Sequence, residues 1–178
     1  MQLLKKVVVI GPESTGKSTL CEYLAGYYKT GWVPEFAREY LLSHGMEYRY
    51  QDLLTIARGQ LLLEDEISLG SAGKPLLFID TDMYVMKIWC EFVFGKVHPW
   101  ITDQIAFRKY DLYLLCNTDL PWVKDELREY PDLETREKLF RMYRDLMDRQ
   151  NTSWVEIRGN DDQRMKIARE AVDKLVAG

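Results

Sequence analysis

Five short apolar runs, separated by stretches with helical spacing, organise this chain. The first, Lys6 to Ile10, is β-branched and bounded by Gly11, and the second lies around Trp32 to Pro34. A third, in "KPLLFIDTD", follows the turn signal Gly73-Lys74-Pro75 and stops at Asp80. "YDLYLLCN" and "SWVEIRGN" supply the fourth and fifth. The spacing between them predicts helices from Lys17 to about Tyr28, from Leu53 to Ser68, and from Asp82 to Phe94, the last ending at Gly95. Further helices are predicted from Thr135 to Gln150, through Leu139, Tyr143, Leu146 and Met147, and from Asp161 to Val176. The segment Thr118 to Leu133 is charged, carries Pro121 and Pro131, and reads as a loop or lid.

Strands that alternate with helices predict an α/β fold, a parallel sheet with helices on both faces. Right-handed crossovers then bring the C-terminal end of every strand to one rim, where ligands bind. No internal repeat, low-complexity tract or linker breaks the pattern, so residues 1–178 read as one domain.

Composition narrows the partners. Acids outnumber Lys and Arg 28 to 24, giving a formal charge of −4, and no Lys/Arg cluster exceeds two residues, so no nucleic-acid partner is expected. The most apolar later stretch, Met83 to Phe94, is interrupted by Lys87 and Glu91 and is too short to span a bilayer. The N-terminal apolar run leads into Gly11 rather than a cleavage site, which argues against a signal peptide. Cys21, Cys90 and Cys116 lack metal-ligand spacing and read as reduced, packed thiols of a cytoplasmic protein. His44 and His98 stand apart from the other candidate groups and read as surface or structural residues.

The chemistry concentrates at the first strand's end. "GPESTGKS", residues 11–18, fits G-x-x-x-x-G-K-[ST] with a strand before it and a helix after. Such a loop folds its backbone N–H groups around phosphate oxygens, and the helix N-terminus adds a favourable field. Gly11, Glu13, Ser14, Thr15, Gly16, Lys17, Ser18 and Thr19 are therefore the expected ATP site. Lys17 is expected on the β- and γ-phosphates and the Ser18 hydroxyl on Mg²⁺.

Carboxylates occupy the other strand ends. Asp80 closes an apolar strand, where it can hold Mg²⁺ directly or through water. Asp82 is either a helix cap or a substrate contact. Glu35 closes the second strand beside Arg38 and Glu39; it can accept a hydroxyl proton, bind a sugar diol, or pair within that cluster. In the lid, Arg128 and Arg136 either swing over the phosphates or form a solvated face with the surrounding glutamates. "RGNDDQR", Arg158 to Arg164, lies where adenine is expected to rest.

Taken in order, "GPESTGKSTL", "PEFAREY", "FIDTDM", "GKVHPWI", "DLYLLCNTDLPWVKDELR" and "TREKLF" resemble the ribosylnicotinamide kinase domain of the NadR family over nearly the whole chain. The resemblance implies a three-layer P-loop kinase fold with strand order 2-3-1-4-5. It also implies phosphorylation of the 5′-hydroxyl of nicotinamide riboside with ATP and Mg²⁺. It would assign Lys17 and Ser18 to ATP and Mg²⁺, Asp80 to the metal, Glu35 and Asp82 to the ribose end, and Arg38, Arg128 and Arg136 to phosphates. Full-length relatives carry a DNA-binding segment and an adenylyltransferase domain first; with the P-loop at Gly11, neither is expected here. Family members stack the nicotinamide between aromatic rings. Here Pro34 stands where an aromatic precedes Glu35, which leaves Trp32, Phe36 or Tyr84 as candidates. A nucleotide-dependent switch or ATPase module with a protein partner, and a kinase for another nucleoside, are the alternatives. The GTPase variant lacks its D-x-x-G and N-K-x-D motifs. Oligomeric state is not legible.

Overall fold

A computed structural model describes residues 3–71 and 73–178. In chain order the elements are β1 (Lys5–Ile10), α1 (Lys17–Tyr27), β2 (Gly31–Val33), α2 (Phe36–His44), α3 (Tyr50–Gly70), β3 (Leu76–Asp80), α4 (Met83–Phe94), α5 (Pro99–Phe107), β4 (Leu112–Cys116), α6 (Leu133–Arg149), β5 (Trp154–Ile157) and α7 (Asp161–Ala177). The five strands form one sheet in the order β2-β3-β1-β4-β5, every pair parallel. That is the 2-3-1-4-5 order the resemblance implied.

Strands β1, β3 and β4 are buried on both faces, as parallel strands covered by crossover helices must be. Side chains alternate between the two layers. Val7 and Val9 of β1 join Phe78 and Leu114 against Leu24 of α1 and Val172 of α7. Val8 and Ile10 face the other way, with Ile79 and Leu115, against Ile88 of α4 and Leu139 and Tyr143 of α6. A third cluster, off the sheet, packs Leu53, Ile56 and Ala57 of α3 against Met83 and Met86 of α4 and Ile101 of α5.

Register brings the strand ends level: Val9 lies opposite Asp80, Val33 opposite Ile79, Ile10 opposite Leu115, and Cys116 opposite Ile157. Gly11, Glu35, Asp80 and Asn117 consequently emerge at one rim. The rim is tight. A Cβ on Gly11, whose φ is 142°, would sit 2.7 Å from the carbonyl oxygen of Cys116.

Element α5 has no counterpart in the sequence reading. It starts on Pro99 at its first turn and buries a single residue, Ile101, so it offers little apolar periodicity. Element α3 begins at Tyr50, three residues before the expected start, because the Asp52 carboxylate accepts the Arg49 N–H at 2.7 Å and closes the first turn. His98 is buried, its Nε2 paired with the Tyr50 carbonyl at 2.8 Å and its ring stacked on Tyr50, whereas His44 is exposed and stacks on Tyr40. No helix among the described residues is long and apolar enough to cross a membrane.

The three cysteines are free and buried. Burial pushes the thiols of Cys90 and Cys116 up to about 11 and raises Cys21 as well. Native protein at pH 8 is accordingly expected to react with a thiol reagent far more slowly than unfolded protein, which releases three equivalents; a fast native equivalent would contradict this packing.

Candidate active site

The residues 11–18 wrap into an open loop between β1 and α1. Gly16 caps α1 in the left-handed region at φ 77°, and Ser14 also has positive φ, at 55°. The Thr15 hydroxyl donates to the Pro12 carbonyl at 2.7 Å and locks the turn. Lys17 Nζ donates to the same carbonyl at 3.0 Å, at the mouth of the loop. Two buried arginines hold the loop's outward carbonyls. Arg136 of α6 donates to Ser14 O at 3.2 Å, and Arg164 of α7 donates to Thr15 O at 3.0 Å and Asn117 O at 2.8 Å. With those carbonyls turned away, the N–H groups are left to face a ligand.

Across the rim, the Ser18 hydroxyl donates to Asp80 Oδ2 at 2.5 Å. Burial raises the pKa of Asp80, opposed by Lys17 and by this hydrogen bond. A hydroxyl and a carboxylate in contact are two hard oxygen donors of the kind Mg²⁺ takes, and the pair fits that ion. No group of three or more His, Cys, Asp or Glu side chains able to hold a metal occurs among the described residues, so phosphate and water oxygens would complete the shell.

Glu35 caps α2 and faces the cavity from the end of β2. Burial raises its pKa, and the neighbouring Asp80 carboxylate raises it further, against Lys17 and Arg38. The turn that carries Glu35 is fixed from α3. Gln60, 1% exposed, accepts the Phe36 N–H at 2.8 Å and donates to the Pro34 and Asp80 carbonyls at 3.3 Å each. One amide therefore sets the β2 carboxylate against the β3 carboxylate.

The segment between β4 and α6 lies across the loop. The Glu13 carboxylate accepts the N–H groups of Glu129 at 2.9 Å and Tyr130 at 2.5 Å, and Ser14 Oγ accepts that of Val123 at 3.0 Å. Arg38 pairs with Asp125 at 3.1 Å. Beneath the segment lies a cavity of about 360 Å³. Its wall includes Gly11 through Thr19, Glu35, Arg38 and Trp32, together with Trp89, Phe92, Arg128, Glu129 and Tyr130. A smaller hollow of about 160 Å³ behind the loop is lined by Gly16, Thr19, Leu20, Leu120, Asp161, Arg164 and Met165.

The structure thus brings Gly11, Glu13, Ser14, Thr15, Gly16, Lys17, Ser18, Thr19, Glu35, Arg38 and Arg128 to one cavity, with Asp80 against Ser18. Asp82, Tyr84, Arg136 and Arg158 do not line it. Asp82 is 1% exposed and caps α4, accepting the Tyr84 N–H at 3.0 Å and the Tyr113 hydroxyl at 2.9 Å. Burial raises its pKa to about 7 despite these bonds. Of the two roles open to Asp82, the helix cap is the one its oxygens perform. Tyr84 packs edge-on against Tyr113, 5.7 Å between ring centroids. Arg158 is exposed, and Arg164 instead lines the hollow. Gln60, Glu129 and Tyr130 carry no site signal in the sequence, whereas Arg164 ends the stretch expected near adenine. Trp89 and Phe92 belong to the aromatic-rich segment Tyr84 to Trp100, read mostly as core with one or two rings able to stack a flat base. Trp89 and Phe92 sit among apolar helix residues that read as core, and Gln60 has no motif around it.

A parallel 2-3-1-4-5 sheet with a Gly-Lys-Ser loop at the end of its central strand defines a P-loop nucleotide-binding protein. The chain belongs to the AAA-domain family, whose model matches residues 6–164. It is 29% identical over 178 residues to the trifunctional NAD biosynthesis/regulator protein NadR of Escherichia coli K12, covering 97% of this chain and 43% of that protein. The Salmonella typhimurium LT2 protein of the same name is 30% identical over 162 residues, 89% of this chain and 39% of the relative. The chain therefore spans less than half the length of these relatives. Among solved structures, a NadR protein in complex with NR superimposes with a TM-score of 0.83 at 22% identity, over 98% of this chain and 50% of that one. A NadR protein with NAD and AMP-PNP gives 0.78 at 24% identity, over 98% of this chain and 50% of that one. Thymidylate kinase from Ehrlichia chaffeensis gives 0.67 at 14% identity over 97% of this chain and 98% of that chain.

Gln60→Leu leaves the Phe36 N–H without its partner inside the protein. It is expected to lower unfolding stability by about 1–3 kcal/mol in denaturant titrations. A change within about 0.5 kcal/mol, the range of an ordinary surface substitution, would remove Gln60 from this role.

Proposed function

We propose that this chain is an ATP-dependent kinase that phosphorylates the 5′-hydroxyl of nicotinamide riboside, giving the mononucleotide, within one domain whose segment from about 118 to 135 is the lid. The observation that carries the reading is the single cavity that joins residues 11–19 to Glu35 and to Trp89, Phe92 and Tyr130 beneath that segment. Phosphoryl transfer asks for little covalent chemistry and much positioning: donor phosphate and acceptor oxygen in line, with charge neutralised around them. A cavity walled by the phosphate loop, by Glu35 and by residues 127–130 of that segment can bring donor phosphate and acceptor together. The relatives add support, since one NadR structure contains NR and another AMP-PNP.

In this reading the loop N–H groups and Lys17 hold the β- and γ-phosphates, and adenine enters the hollow beside Arg164. Ser18 and Asp80 would hold Mg²⁺, which when bound neutralises phosphate charge. Glu35 accepts the hydroxyl proton, its raised pKa making it a stronger base than an ordinary carboxylate. Arg38 and Arg128, on the cavity wall, stabilise charge on the transferring group. Arg136, held on Ser14 O, acts by keeping the loop in shape rather than by touching phosphate. Trp89, with Phe92 and Tyr130 near it, takes the flat base in place of Trp32, Phe36 or Tyr84.

Glu35→Gln keeps the shape and removes the base. It is expected to lower kcat by a factor of about 10² to 10⁴ while leaving the dissociation constant for ATP, measured by calorimetry, within about threefold. Full turnover in this variant would remove Glu35 from the reaction.

A further inference from the structure

The cavity wall carries an acidic side chain with no ion-pair partner. Glu129 lies at the cavity's rim, and both its oxygens accept from the Tyr48 hydroxyl, at 2.9 and 3.2 Å. Tyr48 in turn accepts the Trp89 indole N–H at 2.9 Å. The three side chains form one chain from the lid, through the segment between α2 and α3, to α4. Among the described residues no Lys or Arg is within ion-pair distance of the Glu129 carboxylate.

The other charges of the cavity are already engaged or lie at the phosphate end. Arg38 pairs with Asp125, and Arg128 donates to the Val123 carbonyl. Lys17 rests on Pro12 O within the loop, and Glu13 receives two lid N–H groups. Lys138 covers the Phe92 ring at 5.4 Å, while Trp89 is linked to Glu129 only through Tyr48. Trp89 on the cavity wall therefore lies one hydroxyl away from a carboxylate that has no ion-pair partner. An aromatic face beside a fixed negative charge favours a flat cation over a neutral ring of the same shape.

Resting on the nucleoside-kinase reading, we infer that Glu129 is the specificity-determining residue that selects an acceptor with a positively charged base. Tyr48 and Trp89 hold that carboxylate in place when the lid is down. A neutral acceptor base leaves the carboxylate with the Tyr48 hydroxyl alone, whereas a pyridinium adds the counter-charge it lacks. Glu129 reaches Tyr48 in the same arrangement in which the Glu129 and Tyr130 N–H groups sit on Glu13.

The test compares nicotinamide riboside with its reduced dihydro form, which has nearly the same shape and no ring charge, in wild type, Glu129→Gln and Tyr48→Phe. Glu129→Gln is expected to lower kcat/KM for the cation about tenfold relative to the neutral form, as for one partly screened charge pair. Tyr48→Phe keeps the charge and is expected to retain the larger part of that preference. An unchanged ratio in Glu129→Gln, with both forms turned over, overturns the inference. Turnover of neither form by wild type instead removes the kinase reading, and binding then decides Glu129. Calorimetric preference for the N-methylated nicotinamide cation over neutral nicotinamide, lost in Glu129→Gln, sustains the assignment; equal binding by wild type overturns it.

Discussion

A buried amide fixes the geometry on which the site depends. Gln60 reaches from α3 to the turn after β2 and to the carbonyl of Asp80 at the end of β3. Parallel pairing already sets Val33 beside Ile79, but pairing alone stops at Val33. Beyond that point the chain turns into α2, and its direction there decides where the Glu35 carboxylate points. Hydrogen bonds to Phe36 N and Pro34 O bracket Glu35 on both sides. Because all three partners are backbone groups, the arrangement tolerates side-chain variation around it but not loss of the amide, whose partners would then stay unsatisfied.

The same economy holds the phosphate loop. Its inner turn is closed by Thr15, while Arg136 and Arg164, on different helices, take the carbonyls that point outward. The segment between β4 and α6 does not float above this frame. It sits on Glu13 and Ser14 of the loop itself and on Arg38 of α2. The phosphate loop, the turn that carries Glu35 and the segment between β4 and α6 are thus three parts tied to one another by polar contacts at their edges, with the apolar layers of the sheet as foundation.

Much of the fold was legible because parallel, doubly covered strands leave uninterrupted apolar runs, and β1, β3 and β4 are such strands. Asp82 and Gly95, which bound α4, carry conventional cap and stop signals. Element α5 escaped because one buried residue gives no period to detect. The phosphate end of the site was legible for a different reason. Its residues are contiguous and their types are dictated by the chemistry, so eight positions in a row carry the information. Strand ends marked Glu35 and Asp80 in the same way. The aromatic wall of the cavity and its surroundings are assembled from α4, the segment before α3 and the segment before α6, where a Trp or Tyr at helical spacing looks like any core residue. Asp82 illustrates the converse: a carboxylate two residues beyond a strand end suits a site, yet Tyr113 and the first turn of α4 consume its oxygens.

In the proposed reaction, the nucleotide held by the loop gives its phosphate to a nucleoside lying in the same cavity. The most direct measurement incubates the purified chain with Mg-ATP, with and without nicotinamide riboside, and follows ADP and the mononucleotide by mass spectrometry. ADP release is expected to depend on the riboside and to match mononucleotide one for one. ADP formed at the same rate without riboside, and no mononucleotide with it, would contradict that reaction.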